Sequence, residues 1–179
     1  TATNITTTQY NNLTLTPTGA TTYSLTGALT GGNAMLGNLT INANATLDNT
    51  VANKYSITLG GNWTNSGTYT HNSGGTVTFN ASSTGKTFDA GGVGAGKTFY
   101  NVEFNSGTGG WTIQTTDMKA VNNLTITDVS AMALAASRTL EIGGTYTITA
   151  AETSATTFNN ASSVFYLNGT SQTIGSKTQ

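Results

Sequence analysis

The chain says nearly the same thing twice, in the same order. Tyr10-Asn11-Asn12-Leu13 returns as Tyr100-Asn101-Val102, and Gly37-Asn38-Leu39-Thr40-Ile41 returns as Asn122-Asn123-Leu124-Thr125-Ile126. Ile57-Thr58-Leu59-Gly60-Gly61-Asn62-Trp63-Thr64 returns as Leu140-Glu141-Ile142-Gly143-Gly144-Thr145-Tyr146-Thr147. Phe79-Asn80 and Lys86-Thr87-Phe88 return as Leu167-Asn168 and Gln172-Thr173-Ile174. Every offset lies between about 83 and 90 residues, the mark of an ordered duplication. Repetition on this scale points to a molecule built by stacking, which serves architecture more often than chemistry.

Alternation fixes the secondary structure. Leu13-Thr14-Leu15, Leu39-Thr40-Ile41, Ile57-Thr58-Leu59, Val77-Thr78-Phe79, Trp111-Thr112-Ile113, Leu124-Thr125-Ile126 and Tyr146-Thr147-Ile148 each put two apolar side chains on one face and Thr on the other. Glycine- and asparagine-rich clusters separate them, among them Gly31-Gly32-Asn33, Gly60-Gly61-Asn62 and Asn72-Ser73-Gly74-Gly75. Thr alone supplies about a fifth of the residues, which favours strands over helices. Only Ser130 to Ser137, rich in alanine, reads as helical, and it lacks a cap, so no more than one turn of helix is expected there.

A shorter rhythm lies inside each half. Leu13, Leu39 and Trp63 stand 24 to 26 residues apart, and Val102, Leu124 and Tyr146 stand 22 apart. One coil of a β-solenoid, with two or three short strands and tight corners, needs about that much chain. The expected fold is therefore all-β: a β-solenoid (β-helix) of about six coils in two tandem repeats. A Greek-key β-sandwich with a donated N-terminal strand is the alternative, since strands every 8 to 12 residues suit it equally. Residues 1–9 form an N-terminal connecting strand, 10–99 repeat 1 and 100–179 repeat 2, within one continuous β domain. Thr68 to Gly96 is longer than one coil and is expected to form a hairpin that leaves the stack.

Composition excludes several functions. Only 7% of the 179 residues are charged and the net charge is −1, which removes the basic footprint of a nucleic-acid binder. Hydrophobic residues still reach 36%, enough to bury a core. There is no Cys and no apolar run of spanning length, so neither a disulfide framework nor a membrane span is expected. The scarcity of Lys and Glu points to an extracellular protein.

Motifs with chemical meaning are few. Gly91-Gly92-Val93-Gly94-Ala95-Gly96-Lys97-Thr98 matches the P-loop pattern, whose phosphate cradle needs a helix after it. Phe99-Tyr100-Asn101-Val102-Glu103-Phe104 alternates like a strand instead, so the motif reads as a loop. His71 is the only histidine and lies among turn residues, where a solvated surface position is expected; a catalytic triad could use no other. Without Cys or a second His, no metal site is expected, and no cofactor. The carboxylates are scattered singly, although stacking could bring Asp128 and Glu103 onto neighbouring coils. Trp63 and Trp111 occupy inward positions and read as core. Thr-x-Thr tracts such as Thr14-Leu15-Thr16 suit an ice-binding array, but they do not recur at one position of every coil. Nine glycosylation sequons occur, at Asn4, Asn12, Asn38, Asn44, Asn62, Asn80, Asn123, Asn160 and Asn168, a modest excess over chance.

The ends are in phase. Gln9 and Gln179 stand at the same point of the repeat, as in a unit that continues into another copy of itself. Unpaired strand edges at a solenoid end are a template for addition. The polymer interface is expected at Ile5, Tyr10, Leu13, Leu167 and Ile174, with residues 1–9 as a strand that can insert into a neighbour.

Leu36-Gly37-Asn38-Leu39-Thr40-Ile41, Thr58-Leu59-Gly60-Gly61-Asn62-Trp63-Thr64-Asn65-Ser66-Gly67-Thr68-Tyr69 and Phe99-Tyr100-Asn101-Val102-Glu103-Phe104-Asn105 together resemble repeats of large prokaryotic surface proteins. Those are filamentous, adhesin-like β-solenoid arrays. The resemblance implies an exported, non-enzymatic structural subunit of an extracellular filament or cell-surface fibre, partnered by copies of itself. The other reading is a monomeric adhesin or carbohydrate-binding β-helix module that meets surface glycans or other cells. A β-helix polysaccharide-degrading enzyme is a third class, and it would need a carboxylate cluster.

Overall fold

Each short alternating run becomes a strand, and each strand lies beside the one a coil away in the chain. A computed structural model describes residues 2–149 and 162–169, together with the backbone of 156–157 and 174–175. Its strands pair in parallel throughout, stacked as a β-solenoid of about seven turns, one more than the spacing of the apolar triplets suggests. The stack excludes the sandwich.

A turn visits three faces in a fixed order. The first face carries β1 (Ala2–Ile5), β3 (Thr21–Leu25), β5 (Ala45–Asp48) and β8 (Thr68–Thr70), then residues 96–99, then β12 (Met118–Ala120), β14 (Thr139–Ile142) and β17 (Val164–Leu167). Residues 96–99 join the two sheets there: Tyr69 N donates to Gly96 O at 2.8 Å and Phe99 N to Lys119 O at 3.0 Å. The second face carries β6 (Ile57–Leu59), β9 (Thr76–Phe79), the start of β11 (Asn101–Ile113), the start of β13 (Leu124–Leu134), β15 (Tyr146–Ile148) and β18 (Ile174–Gly175). The third carries β2 (Leu13–Leu15), β4 (Leu39–Ile41), β7 (Trp63–Asn65), β10 (Lys86–Asp89), the ends of β11 and β13, and β16 (Thr156–Thr157). Because β11 and β13 run unbroken round a corner, the second and third faces form one sheet.

Inward residues stack like on like. Leu13, Leu39 and Trp63 follow one another on the third face, and Val77, Val102, Leu124 and Tyr146 on the second. Leu39, Ile41, Ile57, Leu59, Trp63, Phe79, Phe88 and Phe104 are fully buried. Mid-stack, aromatic rings fill the core: Trp63 meets Phe99 edge-on at 4.9 Å and Phe79 stacks on Phe104 at 5.0 Å. Burying each such side chain contributes about 1.5–3 kcal/mol. Trp63 and Trp111 are core residues, as their alternation implies.

One local expectation fails, and the alanine-rich segment resolves as strand. Thr68 to Gly96 does not leave the stack: β8, β9 and β10 each pair in parallel with neighbouring turns, and the extra residues are absorbed in loops between them. Ser130 to Leu134 is strand, the end of β13, because Met132 and Leu134 face inward against Trp111 and Ile113.

The duplication has a geometry that its offsets conceal. β2 corresponds in sequence to the start of β11, yet β2 lies on the third face and β11 starts on the second. The same displacement relates β4 to the start of β13, β6 to β14, β7 to β15, β9 to β17 and β10 to β18. One repeat therefore advances the chain by eleven faces, or three and two-thirds turns, and the second repeat is rotated by a third of a turn against the first.

Candidate functional site

Corners of the stack leave backbone N–H groups pointing along the axis, and asparagine side chains collect them. Asn12 Oδ1 accepts from Asn38 N, Asn38 Oδ1 from Asn62 N, and Asn62 Oδ1 from Thr87 N, at 2.8–2.9 Å. This ladder runs along the corner that leads into the third face. A second ladder, in which Asn101 Oδ1 accepts from Asn123 N and Asn123 Oδ1 from Thr145 N, runs along the corner into the second face. The change of corner is the third-turn rotation expressed in hydrogen bonds.

Four of the sequon asparagines (Asn12, Asn38, Asn62 and Asn123) are thus rungs of these ladders. Asn4, Asn12, Asn38, Asn44, Asn80 and Asn168 are exposed, and Asn62 and Asn123 half-buried. Asn160 lies outside the described residues.

The expected interface residues fall into two groups at opposite ends of the stack. Ile5 on β1 is 5% exposed, and Tyr10 and Leu13 are half-buried against the same core. Tyr10 OH donates to Thr6 O at 3.0 Å, which ties the ring across the first turn. At the other end Leu167 on β17 is half-buried beside Phe165, and Ile174 begins β18, of which only the backbone is described. Pairing at these ends is one-sided among the described residues: β1 meets only β3, β2 only β4, β17 only β14 and β18 only β15.

His71 is half-buried at the surface. Its ring lies between Tyr69 and Tyr100, with centroids 6.4 and 5.9 Å away. Nδ1 accepts from Ser73 N at 3.0 Å, so the neutral ring carries its proton on Nε2, 3.3 Å from Thr98 Oγ1. Burial lowers its pKa below the ordinary value, and its own backbone pulls the other way. A groove of about 470 Å³ runs past it, lined by Thr68, Thr70, Asn72, Ser73, Gly96 and Thr98.

The P-loop-like segment is a loop, as its context requires, and strand β11 follows it. Lys97 Nζ donates inward to Asn65 O at 2.9 Å and Gly67 O at 2.5 Å, so the lysine fastens the loop to the turn below. Burial lowers the Lys97 pKa, and Asp89 opposes the shift. Gly91 has φ +79°, and a Cβ there would press on Asn65 O and on Lys97.

Sequence reasoning missed two fully or nearly buried polar anchors, Asn49 and Asn65. Asn49 Nδ2 donates to Gly74 O and Asn65 Nδ2 to Gly96 O, both at 3.0 Å, each holding a wide loop to the turn beneath. Both asparagines take the next inward position of a strand's alternation, Asn65 as the last residue of β7 and Asn49 just after β5, a weak signal lost among so many others.

Glu103 and Asp128 do come onto neighbouring strands, where Asn105 faces Asp128. Glu103 is committed to hydroxyls, accepting from Thr127 at 2.7 Å and Thr78 at 3.2 Å. Among the described residues no three His, Asp or Glu side chains gather as a metal site, and no helix is long and apolar enough to cross a membrane. No family model, curated protein or solved structure matches the chain.

Proposed function

We propose that this chain is a non-catalytic structural subunit of an extracellular filament or cell-surface fibre, assembling head to tail with copies of itself. One observation carries the reading: parallel ladders run along the stack, and among the described residues the strands at both ends pair on one side only. The low charge, the Thr- and Asn-rich outer positions and the asparagine ladders suit a load-bearing surface protein. Size-exclusion chromatography and electron microscopy of the purified chain test it. Long polymers are expected, and a protein that stays monomeric at high concentration overturns it.

The groove beside His71 favours a second reading. Its hydroxyl and amide lining beside the His71 ring suits a neutral saccharide, so a monomeric adhesin or carbohydrate-binding module would place its ligand there. A stable monomer retained on a glycan array would select this reading.

A further inference from the structure

The way repeat 1 meets repeat 2 inside the chain supplies a template for how two copies would meet. Strand β10 is the link. Its Phe88 faces Trp63 of repeat 1 on one side and Ile113 of repeat 2 on the other. The strand equivalent to β10 before repeat 1 is β1, whose Ile5 faces Leu25, the counterpart of Ile113. The equivalent strand after repeat 2 is β18, whose Ile174 faces Tyr146, the counterpart of Trp63. Each of β1 and β18 is thus half of the joint that β10 makes whole.

A second contact repeats the logic. β11 lies on β9 with Val102 on Val77, Glu103 on Thr78 and Phe104 on Phe79. The equivalents are β2 and β17, which place Leu13 on Phe165, Thr14 on Tyr166 and Leu15 on Leu167. Leu13, Phe165 and Leu167 point inward yet stay only half-buried, and Tyr166 is 52% exposed.

Resting on the filament reading, we propose that the partner of this end is a second copy of the chain, joined by strand replacement. Strand β1 of the incoming copy takes the place of β18 on β15, with Ile5 over Tyr146, while its β2 seats on β17. The incoming β1 keeps its own β3, so it bridges the copies as β10 bridges the repeats. Only one strand fits that slot, so β18 leaves β15 when the incoming β1 seats there. Because two repeats span seven and one-third turns, each copy is rotated by a third of a turn and rises about 35 Å, before any twist of the solenoid itself.

Cysteine pairs on outward positions test this in a chain that has none of its own. The pair T14C/Y166C reports β2 on β17, and T6C/T147C reports β1 on β15; in each pair the two residues lie at opposite ends of one copy, so a short bis-maleimide can join them only between copies. Both double variants are expected to give ladders of multimers on denaturing gels, and each single variant no more than dimers. A ladder from T14C/Y166C alone means that copies stack with β18 in place, and overturns strand replacement. Filaments in micrographs without either ladder overturn the joint and leave the filament reading standing. Monomers without ladders overturn both.

Discussion

Asn38 Oδ1 accepts the backbone N–H of Asn62 at 2.8 Å, while the N–H of Asn38 is itself given to Asn12 Oδ1 at the same distance. Each rung satisfies a donor that the corner turns away from the strand ladder, so one side chain per coil closes a gap in backbone hydrogen bonding. The identical arrangement from Asn101 through Asn123 to Thr145, one corner round, shows that the duplicated sequence carries its local chemistry wherever the stack places it.

Asn38→Ala should destabilise the fold by about 1 kcal/mol, the usual worth of a lost hydrogen bond with a partner left exposed to water. Asn38→Asp keeps the acceptor and should cost clearly less. Urea unfolding followed by circular dichroism reads both. Equal midpoints for the alanine variant and the wild type would mean that water serves the Asn62 N–H as well as the ladder does.

Gly61 sits where the corner of one turn presses on the corner of the next. A Cβ there would overlap Asn38 Oδ1 and the Gly37 carbonyl carbon, whereas one at Gly19 meets nothing within 4 Å. Gly61→Ala should cost about 1–3 kcal/mol or more by overpacking against backbone, and Gly19→Ala should stay within about 0.5 kcal/mol. Thermal melts of the two variants side by side give the comparison.

Which residues face inward was legible from the sequence, because a period of two leaves no other reading for Leu39-Thr40-Ile41 or Ile57-Thr58-Leu59, and all four apolar residues are fully buried. Both tryptophans followed the same rule. The rotation between repeats was not legible, since spacings of 22 to 26 residues measure a turn without saying where on it a segment begins. Only pairing registers such as Phe88 with both Trp63 and Ile113 reveal that. The partial burial of His71 was not legible for a related reason: its turn is polar, but the rings of Tyr69 and Tyr100, remote in sequence from each other, pack near it. The inward lysine was hidden too, because nothing about Lys97 in sequence marks the carbonyls of Asn65 and Gly67 as its targets.

Lys97→Met separates a structural lysine from a phosphate-binding one. Removing the ammonium leaves the carbonyls of Asn65 and Gly67 without their donor, at a cost of about 1–3 kcal/mol. Calorimetric titration of the wild-type chain with magnesium ATP should show no saturable heat. A wild-type chain that binds ATP, together with a Lys97→Met variant that does not and melts normally, would reverse the assignment.

Stability should respond to acid through His71. Its folded-state pKa lies below the ordinary value of about 6.5, so the unfolded chain takes up the proton first as the pH falls. Stability attributable to the neutral ring is whole above about pH 6.5 and declines as the pH drops from there through the lower, folded-state pKa. Protonation also turns Nδ1 from acceptor to donor and breaks its bond with Ser73 N. The charged neighbour on the adjoining turn is Asp48, held to Asn72 at 2.6 Å. Melting temperatures measured from pH 8 to 5 should therefore fall below pH 6.5 in the wild type and stay flatter in His71→Gln, which keeps a hydrogen-bonding side chain but cannot titrate. Parallel curves for the two proteins would assign the acid response to the carboxylates instead.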